Sequence, residues 1–245
     1  MSKYINELVE KIEQIKEAGW HETTRVGNTG IGKTFEDLLE KSEDNISSPD
    51  FYDIEIKTHE AASSSMLTLF TKSPTYPRNA NTLLRTNYGK KDEYGNMILH
   101  TTVSGNRRTN STAYAYDFLI TIDERNAAVR LAVFDKQGVL VNDSVYWSFT
   151  ALEKQIIRKL NTIAIVSAVS KNNNGRKYYK YTHIDIVTGL GISGLIDGIK
   201  NGDLKVDIRI GAYHRGPNTG KTHDHGTGFR INTEKLLRYA EVRRI

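Results

Sequence analysis

The sequence predicts a mixed α/β protein of the α+β kind, with helices and short strands following one another along 245 residues. Three observations carry this. Apolar residues recur at helical spacing in some stretches, several short runs alternate with a period of two, and Gly- or Asn-rich clusters separate the runs. With 38% hydrophobic and 26% charged residues, the chain can bury the core of one large domain or two smaller lobes.

Ile5, Leu8, Val9, Ile12 and Ile15 predict an amphipathic helix over residues 3–18, stopped near Gly19. A Gly-rich turn follows from Gly27 to Gly32. Thr34 is placed to cap a second helix, Phe35 to about Lys41, on which Glu36 and Glu40 fall one turn apart. An extended segment runs from Asp53 through Lys57, Met66–Thr71 alternates as a further strand, and residues 73–112 are polar and expected in loops. Tyr116–Asp123 and Ala128–Asp135 form a hairpin, Val145–Phe149 a short strand, Leu152–Leu160 a helix, and Thr162–Val169 an apolar strand. Asn172–Gly175 turns the chain into Tyr178–Val187, and Ile192–Lys200 is a helix stopped by Gly202. Leu204–Tyr213 and Gly228–Asn232 are strands around a long Gly- and His-bearing loop, and a last helix starts at Thr233.

Composition narrows the chemistry. The chain has no cysteine, which excludes disulfides, thiolate zinc sites and cysteine nucleophiles and suits a reducing compartment. The N-terminus is charged and amphipathic and no apolar run approaches membrane length, so a cytoplasmic protein without a membrane span is expected. The net charge of +5 hides an asymmetry: residues 1–60 carry −7 and the remainder +12, with +5 in residues 205–245 alone. The basic part reads as a footprint for a polyanion or as a solvated face.

The segment Pro49-Asp50-Phe51-Tyr52-Asp53-Ile54-Glu55-Ile56-Lys57 points to metal-dependent phosphodiester cleavage. On a strand, Asp53, Glu55 and Lys57 share one face and Ile54 and Ile56 the other, while Asp50, just ahead, can turn its carboxylate toward Glu55. Asp50 and Glu55 then hold Mg2+, a hard cation that takes oxygen ligands and keeps several waters. Lys57 lowers the cost of forming hydroxide and steadies charge on the phosphoryl oxygens. Alternating Glu and Lys also occur on ordinary exposed strands, and Glu36 reads equally as a solvated helix residue or a fourth member of the site, with Glu40 its rival.

A competing motif lies nearby. Gly27-Asn28-Thr29-Gly30-Ile31-Gly32-Lys33-Thr34 fits the phosphate-loop pattern G-x-x-x-x-G-K-[ST], with Asp123 as a candidate acidic partner. That loop needs a buried strand feeding it, whereas Glu22–Val26 is short and polar, so an NTPase is the weaker reading.

Gly30-Ile31-Gly32-Lys33-Thr34-Phe35-Glu36, Pro49-Asp50, Glu55-Ile56-Lys57-Thr58 and Leu67-Thr68-Leu69-Phe70-Thr71 together resemble the MvaI/BcnI group of type II restriction endonucleases, relatives of the mismatch-repair nickase MutH. The resemblance implies a PD-(D/E)xK nuclease core, a central mixed sheet flanked by helices, with Glu36, Asp50, Glu55 and Lys57 at the catalytic positions. It also implies a catalytic lobe over residues 1–160 and a smaller DNA-recognition lobe over 161–245, and leaves open that strands are shared between the lobes. Mg2+ as cofactor, double-stranded DNA as partner, action as a monomer, a companion DNA methyltransferase and a pseudopalindromic site of the CC-W-GG type, W being A or T, follow from the same likeness.

For base reading, Lys205, Asp207 and Arg209 alternate with apolar residues on one predicted strand. Guanine N7 and O6 suit a bidentate Arg and cytosine N4 suits a carboxylate, so Arg209, Arg230 and Asp207 fit a G·C-rich site, with His223 and His225 as further donors. His223-x-His225 alternatively suggests a zinc pair, for which no third ligand stands at short spacing. Lys72, Arg78, Arg85, Arg107 and Arg108 are expected on phosphates. The reading from another functional class is a basic DNA-binding protein without catalysis.

Overall fold

The computed structural model describes residues 3–27, 29–39, 49–61 and 63–245. In chain order the elements are α1 (Ile5–Glu17), β1 (His21–Glu22), α2 (Gly30–Leu38), β2 (Glu55–Glu60), β3 (Leu67–Thr71), α3 (Ala80–Tyr88), β4 (Lys90–Lys91), β5 (Met97–Val103), β6 (Asp117–Asp123) and β7 (Ala128–Phe134). They continue with β8 (Leu140–Ser148), α4 (Phe149–Lys159), β9 (Thr162–Asn173), β10 (Arg176–Thr188), α5 (Ile192–Lys200), β11 (Leu204–Ala212), β12 (Thr222–Asp224), β13 (Gly228–Ile231), α6 (Thr233–Leu236) and β14 (Glu241–Arg244). The mixed α/β class is the one the periodicities predict. No helix among the described residues is long and apolar enough to cross a membrane.

The chain divides into two compact units, and neither is continuous in sequence: unit 1 joins Met1–Leu67, Ile156–Leu190 and Ala240–Ile245, and unit 2 joins Thr68–Gln155 and Gly191–Tyr239. A single cut at residue 160 therefore does not separate them. The reason is strand pairing, because β9 and β10 belong to the sheet of β2 and not to that of β11.

Unit 1 is built on the sheet β1-β10-β9-β2, with β14 also paired to β10. β2 runs parallel to β9, Glu55 opposite Ile163 and Lys57 opposite Ile165, and ends the sheet. Ile5, Leu8, Ile12 and Ile15, the helical stripe of α1, pack with Phe35 and Leu39 onto Ile54, Ile56, Ala164, Val166 and Tyr181. The Tyr181 hydroxyl, buried, donates to Ile31 O at 2.9 Å, tying α2 to β10. At the sheet's other end Arg244 forks onto the buried Asp185 with bonds of 2.8 and 2.9 Å.

Unit 2 carries a sheet in the order β3-β13-β11-β5-β4, with β12 also on β11, and an antiparallel meander β6-β7-β8. Trp147 is fully buried, crosses Phe229 edge-on and donates its indole N–H to Lys72 O at 2.8 Å. Residues 73–112 differ from the expectation: they hold α3, β4 and β5 rather than loops alone. α3 is poor in strong helix formers and buries only Ala80, Leu84, Arg85 and Tyr88, so tertiary packing supplies what propensity lacks. Arg85, expected on phosphate, is buried instead and donates to Met97 O at 2.9 Å and Gly220 O at 3.0 Å.

Candidate functional site

In unit 1 a tight turn builds the acidic site. Phe51 and Ile54 exchange backbone hydrogen bonds of 2.9 and 2.8 Å around Tyr52, which takes a φ of 52°. The chain thereby folds back, and Asp50 Oδ2 accepts the Ile56 amide at 3.0 Å on the outer edge of β2. Asp53 lies exposed in this turn, so the predicted strand face of Asp53, Glu55 and Lys57 loses its first member. Glu55 and Lys57 do share a face. Glu55 is only 3% exposed, with Lys57 Nζ 2.5 Å from Oε1 and Lys159 Nζ 3.2 Å from Oε2. A withdrawn carboxylate needs such partners, because its desolvation costs several kcal/mol.

Glu36 is half-buried on α2, which lies on the other, apolar face of β2: a Cβ on Gly32, one turn earlier, would stand 3.3 Å from Thr58 Oγ1. Glu40 lies outside the described residues. Among the described residues no three His, Asp or Glu side chains stand close enough to bind a metal by themselves. The donor chemistry nevertheless fits Mg2+, since Asp50 and Glu55 present only carboxylate oxygens to one end of β2, and this ion fills its remaining positions with water and phosphate.

Gly27–Thr34 is not arranged as a phosphate loop. α2 already begins at Gly30, so Thr34 sits inside the helix rather than capping it, and Lys33 N–H donates to Thr29 O at 3.1 Å instead of facing an anion. Lys33 Nζ sits 2.5 Å from Asp37, and Thr34 Oγ1 accepts from Thr24 N at 3.1 Å. Gly30 is required by packing: a Cβ would meet Arg25 O at 2.4 Å and Thr23 Oγ1 at 2.8 Å.

In unit 2 the expected polar face of β11 exists. Asp207 is 8% exposed and accepts from Arg230 at 3.0 Å and from Thr102 Oγ1 at 2.8 Å. Its carboxylate holds Arg230 in place rather than projecting freely. Arg209, one step along, donates to Gly226 O at 2.9 and 3.1 Å and to His225 O at 3.3 Å. β5 places His100 opposite Arg209 and Thr102 opposite Asp207. These residues, with His225, line a groove of about 540 Å³. The His223 and His225 rings stand 4.2 Å apart and Tyr213 stacks on His223 at 4.4 Å. Burial, then the neighbouring His223, His100 and Arg209, lower the pKa of His225, so at neutral pH it is an uncharged imidazole with one donor and one acceptor.

Residues 9–238 match the model of the MvaI/BcnI restriction endonuclease family. The chain belongs to that family. It is therefore a sequence-specific type II restriction endonuclease. A solved complex of restriction endonuclease MvaI with its cognate DNA substrate is 64% identical, with a TM-score of 0.93 over 100% of this chain and 99% of that one. The structure of MvaI in the absence of DNA is 63% identical, with a TM-score of 0.71 over 100% and 98%. No curated protein matches the chain.

Reading this MvaI/BcnI-family sequence alone missed Lys159, His100 and Thr102. Lys159 meets Glu55 across 104 residues of chain and Thr102 meets Asp207 across 105. A cation closing a helix just before an apolar strand was the local signal for Lys159, and the alternation of Met97–Val103 the signal for β5.

Proposed function

We propose that this MvaI/BcnI-family enzyme hydrolyses phosphodiesters of double-stranded DNA with Mg2+ at a CCWGG site, acting as a cytoplasmic monomer beside a companion methyltransferase. The observation that carries the reading is the convergence at the start of β2, where the Asp50 carboxylate is fastened to the Ile56 amide and Glu55 and Lys57 share the adjoining face. When bound, Mg2+ neutralises phosphate charge and eases deprotonation of a nearby water. Asp50 and Glu55 hold that ion. Lys57, whose ammonium is already beside the Glu55 carboxylate, orients the attacking water and offsets negative charge that builds on the phosphoryl oxygens. Glu36 adds a carboxylate from α2. In unit 2, Arg209, Arg230, His223 and His225 present donors to guanine edges, and Asp207 fixes Arg230 while its remaining acceptor capacity suits cytosine N4. Likeness to MvaI, solved with its cognate DNA, supports DNA as the substrate.

Incubating plasmids that carry CCWGG, or CCSGG in its place, with the protein and Mg2+ tests this directly. Discrete fragments from the first alone, abolished by EDTA, are expected. Retention of the plasmid on the protein without cutting makes it the non-catalytic binder. Lys57→Ala is expected to abolish cleavage while leaving specific binding largely intact; loss of both assigns the lysine to folding.

A further inference from the structure

We propose that the pocket framed by Arg107, Arg108 and Lys205 in unit 2 is a seat for a backbone phosphate of duplex DNA; the inference rests on the DNA-cleaving reading above. The pocket measures about 450 Å³, and its wall brings together these three cations and the amide of Asn110, with no carboxylate, while the lining hydroxyls of Thr102 and Ser104 donate to Asp207 and Asn106. The Arg107 guanidinium and the Lys205 ammonium have no hydrogen-bond or ion-pair partner among the described residues. Three crowded cations repel one another, and the ligand that relieves them is an anion with several acceptor oxygens. A neutral base edge does not.

The seat is built in advance. Ser104 O accepts the Ile120 amide at 2.9 Å, and Thr109 exchanges bonds of 2.8 Å with Phe118, so both ends of the loop are pinned to β6. Asn106 donates to Asn201 O at 3.0 Å. Arg108 lies over the Phe134 ring, 5.1 Å from its centroid. Little ordering is left for the ligand to impose.

Its position fits a groove wall. Lys205, Asp207 and Arg209 share one face of β11, so Lys205 stands about 14 Å along the strand from Arg209. Thr102 lines both this pocket and the groove of His100, Arg209 and His225. The major groove of B-DNA is about 12 Å wide, so a face whose Arg209 end meets base edges brings its Lys205 end to the phosphates bounding the groove.

The test is fluorescence anisotropy in EDTA with one duplex containing CCWGG and one lacking it, from about 50 to about 200 mM NaCl. Arg107→Ala and Lys205→Ala are each expected to reduce the slope of log Kobs against log[NaCl] by about 0.9, and the double variant by about twice that. The loss of affinity is the same factor on both duplexes. Arg125→Ala, at the exposed β6–β7 turn, keeps the wild-type slope. Melting temperatures identify any variant that folds poorly, and Arg107→Gln with Lys205→Gln then replaces the alanine pair. An unchanged slope in the double variant overturns the seat, as does a loss confined to the CCWGG duplex. If the wild type binds both duplexes alike, site-specific recognition fails, while the slope still decides the phosphate seat.

Discussion

Glu55 shows how one residue is shaped by partners far along the chain. Its two oxygens lie against Lys57 and Lys159, so an incoming cation meets a carboxylate that two ammonium groups already attend. Lys159→Met removes one competitor and is expected to lower the Mg2+ concentration for half-maximal cleavage by about fivefold, the factor that about 1 kcal/mol produces. A raised requirement, read from a magnesium titration, would show that Lys159 serves the chemistry instead. Arg209→Ala is expected to cost about 1 to 3 kcal/mol of preference for the cognate duplex over a single-base mismatch; uniform weakening on both reassigns it to phosphate. His225 gives a pH dependence. Its pKa is lowered, chiefly by burial, so the uncharged ring is the native form at neutrality and it takes up a proton only as pH falls below that lowered value. Acidification below that lowered value then adds a positive charge to the groove, raising affinity for non-cognate DNA and shrinking the cognate preference. His225→Gln flattens this profile in anisotropy titrations.

Elements were legible where one face alone decides them. The apolar stripe of α1, the helix Ile192–Lys200 and the hairpin of β6 and β7 are read from spacing with little error. α3 and β5 were not, because α3 is held by the buried Arg85 reaching Gly220, far along the sequence, and β5 by pairing with β11. The proposed acidic cluster was legible for the same local reason: Asp50, Glu55 and Lys57 lie within eight residues, whereas the turn that displaces Asp53 depends on Tyr52 adopting a positive φ, which its residue type disfavours. Gly30 illustrates a glycine chosen for contact, not for a ligand. Gly30→Ala is expected to destabilise the fold by about 1 to 3 kcal/mol in denaturant titration, as overpacking does, with no change in ATP binding from a baseline of none. Asp123 anchors the β6–β7 turn through Asn126 and Arg130, which lower its pKa to about 2. Because the native pKa is depressed, its contribution is complete above about pH 4, near the unfolded value, and fades toward pH 2. Asp123→Asn is therefore expected to unfold more readily than wild type at neutral pH and to close the gap at strongly acid pH.

At the scale of the whole molecule, the order in which parts are made follows from how the chain is threaded. β9 stands between β10 and β2, so the sheet that carries Glu55 and Lys57 cannot form until residues beyond Thr162 exist. β14, which supplies the Arg244 fork for Asp185, follows every element of unit 2 in the sequence. A fragment ending at Gln155 is accordingly expected to nick no plasmid of any sequence; activity in that fragment would show that β2 finds another partner. By the time Ala240–Ile245 completes unit 1, every residue of unit 2, ending at Tyr239, has already been synthesised. Domains fold as they emerge, at about 5 to 20 residues per second, so β2, β9 and β10 of unit 1 are made before β11, β12 and β13 of unit 2, and β14 joins β10 after them. A product interrupted between Leu190 and Tyr239 consequently carries Asp50, Glu55 and Lys57 beside β9 and β10 while it still lacks part of the β11–β13 face.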